Sequence, residues 1–191
     1  MASTYRTIFE RFNINAPDAR GRATTWFEQQ IKLLGKPKPS QVMRGGLAQN
    51  RGSAKIGNMY FFYYNAKLKD KLPQWDMFPL VIPFSINSDG FTGLNFHYLP
   101  YGTRIWLLDA LLDVHNQKIE SDTVLKITWA KISAVSKLAV AKDAVHRYLS
   151  PHVQSPLKIV YPDDWQTALM LPVEKFVSNT GKRIKAHKIW S

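Results

Sequence analysis

The sequence predicts an α+β fold, a small antiparallel β-sheet flanked by helices, and three observations carry that prediction. The stretch from Gly57 to Tyr101 holds half of the chain's aromatic residues, which marks it as the core. Within it, Phe78, Leu80, Ile82, Phe84 and Ile86 alternate with Met77, Pro79, Val81, Pro83 and Ser85, the period-2 pattern of a strand with one buried face. Before and after this stretch, apolar residues recur at the three- and four-residue spacing of helices.

In residues 1–17, Tyr5, Ile8, Phe9 and Phe12 have helical spacing until Pro17 interrupts it, which predicts a short docked helix or arm. Asp18 is the expected N-cap of a helix through Leu34, with Trp26, Phe27, Ile31 and Leu34 on one side and Gly35 as its stop. Lys36 to Ile56 is rich in Pro, Gly, Ser and basic residues and reads as a loop or arm. Met59 to Tyr64 is aromatic on both faces, as suits a strand with two neighbours.

Asn87-Ser88-Asp89-Gly90 supplies a turn, in which Asp-Gly tolerates positive φ, and Phe91 to Tyr98 returns, giving a hairpin over about residues 78–98. Pro79 and Pro83 both lack the N–H that would point to one side of the first strand, so that strand is expected at a sheet edge. The 59–64 strand is then expected beside the returning strand. Gly102 and Thr103 open a helix with Ile105, Leu108, Leu111 and Leu112 facing inward. Residues 123–149 read as helix, with Trp129, Ile132, Val135, Leu138, Val145 and Leu149 inward and Ser150-Pro151 as the break. Leu157 to Tyr161 reads as a short strand, and Asp163 as the cap of a helix containing Trp165, Ala168 and Leu169. Leu169 to Phe176 closes the folded part.

The 191 residues suit a single domain, 1–191, with a basic loop over about 36–56 and a basic C-terminal tail over about 178–191. No apolar run approaches the length that spans a bilayer, and the first residues lack the pattern of a secretory signal. Zero cysteines exclude disulfides, thiolate catalysis and cysteine-based zinc sites. The net charge of +12 favours polyanionic partners, above all nucleic acid. An acidic protein partner, or solubility alone, is the alternative.

The positive charge is concentrated. Between Glu28 and Asp70 there is no acid, while Lys32, Lys36, Lys38, Arg44, Arg51, Lys55, Lys67 and Lys69 fall in the interval. Interleaved glycines there let backbone N–H groups approach phosphate oxygens. The tail repeats the pattern with Lys182, Arg183, Lys185 and Lys188, as a disordered basic arm or a second phosphate contact. Lys36, Lys38, Arg44, Arg51, Lys55, Lys67, Lys69 and these four tail residues are therefore the DNA-binding candidates. Exposed members of the aromatic set can stack on unpaired bases at a DNA end, though most of them must be core.

Catalytic signatures are weak. Pro162-Asp163-Asp164 opens like a restriction-type nuclease core, but no Glu-x-Lys follows, and the adjacent pair Glu174-Lys175 does not replace it. Asp109 and Asp113 are one helical turn apart, a spacing that reads better as a solvated face than as a divalent-ion site. The five histidines show no metal-ligand spacing, and no nucleophile elbow or P-loop is present. The chain is expected to be no enzyme and to hold no cofactor or metal. In Gly93-Leu94-Asn95-Phe96-His97-Tyr98, residues 93, 95 and 97 share a small or polar strand face opposite Leu94, Phe96 and Tyr98, a strip that suits a contact surface; Asn95, His97 and Tyr98 are contact candidates through the motif Asn95-x-His97-Tyr98. A histidine satisfied by a neighbouring loop is the commoner arrangement.

Four segments carry a resemblance. Gly57-x-Met59-Tyr60-Phe61-x-Tyr63, Leu72-Pro73-x-Trp75-Asp76-x-Phe78-Pro79-Leu80, Asp89-Gly90-Phe91-x-Gly93-Leu94-Asn95-x-His97-Tyr98-Leu99-Pro100 and Leu171-Pro172-Val173-Glu174-x-Phe176 resemble the DNA end protector and head-completion proteins of T-even-like contractile-tailed phages. The resemblance covers roughly residues 57–176. It implies a virion protein, present in the host cytoplasm during assembly, that binds the terminus of packaged double-stranded DNA without catalysis. Such a protein shields the end from host exonuclease and touches portal, neck or tail proteins, with no membrane and no small-molecule substrate involved. A neck, tail or baseplate component that contacts only other virion proteins is the rival reading.

Overall fold

A computed structural model describes residues 37–44, 48–51, 53–115, 130–135 and 139–190. The helices expected in residues 1–34, and the candidates Lys36, Trp129 and Leu138, lie outside the described residues. The first described element is helix α1 (Pro39–Arg44), followed by strand β1 (Ala48–Arg51), so the segment read as a loop holds two short elements. Strands β2 (Met59–Phe61), β3 (Gln74–Asp76), β4 (Leu80–Asn87) and β5 (Gly90–Asn95) follow, with a 3-10 turn at Phe96–Tyr98 and helix α2 (Tyr101–His115). Residues 130–135 are helical. Then come β6 (Val145–Leu149), β7 (Leu157–Val160), helix α3 (Pro162–Met170), β8 (Phe176–Ser178) and β9 (Arg183–Ile184).

The main sheet has six strands in the order β1-β7-β2-β4-β5-β6, and a second sheet has the order β3-β8-β9. Every pairing is antiparallel, and the β4–β5 hairpin is the one the turn chemistry predicts. The α+β expectation holds.

Three placements differ from the sequence reading. β4 is interior, with β2 on one side and β5 on the other. Its prolines are accommodated because Pro79 precedes the strand and the ladder to β2 ends at Val81. Beyond it Pro83 serves only as an acceptor, its carbonyl receiving the Gly57 N–H at 3.0 Å. β2 pairs with β4 and β7 rather than with the returning strand. That neighbour is β6, from Val145 to Leu149, a stretch read as the end of a helix; pairing along β5 from Gly90 to Leu94 outweighs its helical spacing.

Both faces of the sheet are covered, so the first half of β4, Leu80 to Pro83, is buried throughout instead of alternating. Leu80, Ile82, Leu94 and Phe61 join Leu107, Leu108 and Leu111 of α2 and Trp165, Ala168 and Leu169 of α3 in one cluster. On the other face Tyr60, Phe62, Tyr64, Val81, Phe91 and Tyr148 form a second. There Phe62 meets Tyr148 edge-on at 5.2 Å and Phe91 at 5.7 Å. Burying each such side chain contributes about 1.5–3 kcal/mol. The aromatic stretch is the core, as its composition predicts.

At the start of α3, Tyr161 takes the capping position without a side-chain capping bond and Pro162 opens the first turn. Asp163 is therefore inside the helix and complements its dipole instead of capping it. Gly90 is required for closeness, not for positive φ. A Cβ there would stand 1.9 Å from the Tyr148 carbonyl oxygen across the β5–β6 ladder. Gly90→Ala should accordingly cost about 1–3 kcal/mol, as overpacking against backbone does. Gly102→Ala, which meets nothing within 4 Å at the start of α2, should be neutral or stabilise by up to about 1 kcal/mol. Urea unfolding of the two variants beside the parent chain measures both.

Candidate nucleic-acid interface

The basic candidates fall into groups set by the fold. Val42 is fully buried in the helix-side core and anchors α1, which leaves Lys38 and Arg44 exposed beside it. Burial raises the Tyr63 hydroxyl above its ordinary pKa, and the charge of Arg44 partly opposes that rise, which puts the guanidinium near this ring. Arg51 ends β1 opposite Leu157, and the following Ser53 and Ala54 line a recess of about 430 Å³ with the tip of the β4–β5 hairpin. Lys55 is exposed in the same segment, its backbone N–H bonded to the Tyr60 hydroxyl at 3.0 Å.

Lys67 and Lys69 are exposed on the turn that precedes β3. Asp89 at the hairpin tip receives a 2.7 Å bond from Arg147 of β6. That bond, with the charges of Arg147 and Lys67, holds its carboxyl below the usual range. The hairpin tip thus has Ser53 and Ala54 beside one recess and Lys67 with Arg147 beside another.

The tail is ordered rather than an arm. β9 pairs with β8, Ile184 and Ile189 pack on the main core, and the Trp190 indole donates to the His97 carbonyl at 2.8 Å. Lys182, Arg183, Lys185 and Lys188 are exposed along it as a second cationic group.

Asn95, His97 and Tyr98 are buried, because the chain leaves the strand at Asn95 and turns inward as a 3-10 turn. They surround the carboxylate of Asp76, itself 3% exposed. One Asp76 oxygen accepts from the backbone N–H groups of Phe78 at 2.9 Å and Lys175 at 3.2 Å. The other faces Asn95 Nδ2 at 3.3 Å and His97 Nδ1 at 2.7 Å. Burial alone would raise this carboxyl, but His97 and the N–H donors outweigh it and hold the pKa below the ordinary 3.8. The group is ionised, so His97 Nδ1–H is the donor.

Arg104, fully buried, extends the network. Its Nε donates to the Leu99 carbonyl at 2.8 Å, Nη1 to Leu169 at 3.0 Å, and Nη2 to His97 at 3.1 Å and to Glu174 at 2.7 Å. Its guanidinium carbon lies 4.5 Å from the Tyr101 ring centre and 5.1 Å from that of Trp190. Sequence reasoning missed Arg104, although its position four before Leu108 and seven before Leu111 places it on the apolar stripe of α2, where only a partnered arginine is tolerated.

No group of three or more His, Asp or Glu side chains that could hold a metal occurs among the described residues. The side chains of Asp109 and Asp113 lie outside them. Among the described residues no helix is long and apolar enough to cross a membrane.

A family model described as phage T4 terminal DNA protecting protein matches residues 1–191. The chain belongs to that family. No curated protein and no solved structure matches it. The segments that carry the resemblance contribute Asp76, Asn95, His97 and Glu174 to the buried network, while Arg104 lies outside them. In this family member they build the fold, and the exposed charges lie around them.

Removing one partner of a buried, hydrogen-bonded charge costs about 3–5 kcal/mol, so Arg104→Met and Asp76→Asn should each lower stability at pH 7 by about that much. Two pH windows follow. A folded pKa depressed below 3.8 means that the Asp76 contribution is present above 3.8 and lost as pH falls through the folded value. Burial of His146 lowers its pKa from 6.5, so the neutral form belongs to the fold, and its contribution is complete above 6.5 and fades as pH falls toward the lowered value. Thermal unfolding of the parent chain should show both losses, and the penalty of Asp76→Asn should shrink below pH 3.8.

Proposed function

We propose that this protein binds the end of packaged double-stranded DNA without catalysis, shields it from host exonuclease and assists completion of the phage head. The observation that carries the reading is the match of the whole chain to a family of DNA terminus-protecting proteins. The exposure of Lys38, Arg44, Lys55, Lys67, Lys69, Lys182, Arg183, Lys185 and Lys188 supports it. So does the net charge of +12. Arg51 and Lys36 belong to the same proposed surface by sequence. Contacts of this kind neutralise phosphates without reading bases, so affinity comes from counterion release and carries no sequence preference. Protection is then steric: an exonuclease must engage the last base pairs, and a protein seated there denies access.

The same proposal places the protein in the virion beside portal, neck or tail proteins. A role confined to such neighbours is the second reading, and DNA binding separates the two.

With blunt linear, hairpin-capped and circular duplexes, the linear form should be preferred and should resist a processive exonuclease when protein is added. If 6–10 phosphates are contacted, affinity should fall by about 10³–10⁵ between 50 and 200 mM salt. A flat salt response, or equal binding to circles, would overturn the reading. Reversing Arg44, Arg51 and Lys55 to Glu together should abolish binding while shifting the melting temperature by no more than about 2 °C, because surface charges such as the exposed Arg44 and Lys55 contribute little to folding.

A further inference from the structure

Beside the hairpin tip lies a recess of about 540 Å³ that the basic surface does not explain. Its walls include Tyr64, Trp75, Tyr98, His146 and Tyr148, and Lys67 and Arg147 stand at its rim. The size is that of pockets for small planar ligands, about 300–1,000 Å³. The rings are tightly set, with His146 4.2 Å from Tyr98 and Tyr64 5.0 Å from Tyr148, centre to centre.

Two polar atoms of these walls have no hydrogen-bond partner in the protein: the indole nitrogen of Trp75 and Nε2 of His146, both fully shielded. Trp75 is 8% exposed, and its N–H can only donate. His146 bonds the Asp143 backbone through its other nitrogen, and burial keeps the ring neutral, so Nε2 carries a lone pair and can only accept. Buried polar groups in folded proteins are paired in the great majority of cases, and leaving one unpaired costs about 1–3 kcal/mol. These donor and acceptor atoms lie behind the walls of the same aromatic recess, shielded from its open space, under a rim that bears two cations and one carboxylate, Asp89.

We infer that this recess receives the unpaired base of the terminal nucleotide at a DNA end. The tyrosines are only 3–8% exposed, so the base enters by parting this wall; it then offers them a flat face, a donor and an acceptor on one edge for Trp75 and His146, and an attached phosphate for the cationic rim. The inference rests on the DNA-end reading proposed above and adds what that reading lacks, a means of telling an end from the interior. Extruding an interior base requires unpairing and unstacking it, whereas a frayed or overhanging terminal base is already released.

The test uses the full chain and short duplexes carrying a one-nucleotide 3′ or 5′ overhang, each made with a normal base and with an abasic residue, so that charge and length are equal. For at least one polarity the base-bearing overhang should bind about five- to hundredfold tighter than its abasic counterpart, the range for stacking one base on aromatic side chains. Trp75→Phe keeps a ring and removes the donor, and should narrow that ratio about three- to tenfold. His146→Phe, which removes the acceptor, should do likewise, and melting curves establish that each variant is folded. Equal affinity of base and abasic ends with DNA binding intact would mean the recess holds only water, and would overturn this inference while leaving the proposed function standing. A preference untouched by either folded variant would overturn the assignment to this recess. Absence of binding to every duplex would overturn the DNA reading and this inference with it.

Discussion

The ionised carboxylate of Asp76 is the constraint on which the rest of the structure depends. A buried charge is tolerated only when its hydrogen-bonding capacity is filled, and Asp76 has four donors from three separate parts of the chain: Phe78, Lys175, and the pair Asn95 and His97. Satisfying it fixes the second sheet against the end of β5. Arg104 then ties the same 3-10 turn to α2, α3 and Glu174, and Trp190 brings the end of the chain to the His97 carbonyl. Apolar packing supplies most of the stabilisation, but it is non-directional; the carboxylate and guanidinium select this arrangement of the segments over other compact ones.

Local chemistry was legible and long-range pairing was not. The hairpin from Leu80 to Asn95 could be read because alternation and a turn sequence are both properties of neighbouring residues, and the inward face of α2 could be read from its spacing. β6 could not, since Val145 and Leu149 continue a helical spacing, and its strand state depends on a partner more than fifty residues earlier. The edge placement of β4 failed for a similar reason. A proline forbids a hydrogen bond only where a neighbour asks for one, and the ladder to β2 stops before Pro83. In the tail the eye goes to the lysines, while Ile184, Ile189 and Trp190 hold the segment down. The polar strip of Asn95 and His97 suits a contact surface, with an internally satisfied histidine as the commoner arrangement, and the fold has the latter, His97 bonding Asp76 at 2.7 Å. The misjudgement was to continue the strand past Asn95, and the signal against it was present: an aspartate, an asparagine, a histidine, an arginine and a glutamate scattered among apolar segments are what a buried polar network looks like in sequence.

That the recognisable residues are structural bears on how the family should be read. Exchanging one member of a buried hydrogen-bonded pair leaves the other unpaired, so such positions resist change whatever the protein binds. Exposed lysines that neutralise phosphate tolerate exchange and displacement, because counterion release depends on how many phosphates are met and little on which residues meet them. The residues that identify this chain therefore report its architecture. Its chemistry toward DNA has to be sought in the charges and cavities arranged around them.

Charge by itself is a poor detector of ends. Phosphates repeat along a duplex at constant spacing, and a basic surface gains the same contacts in the middle as at the terminus, with more sites available in the middle. What distinguishes an end is the face of the last base pair and the ease with which that pair opens. On the reading proposed here, a protein that guards termini needs a feature that only an opened or unpaired nucleotide can enter, set close enough to the cations that both contacts form together. In this fold the hairpin tip provides that adjacency. Asp89 bonds Arg147 and feels the charge of Lys67, and the aromatic recess opens beside them.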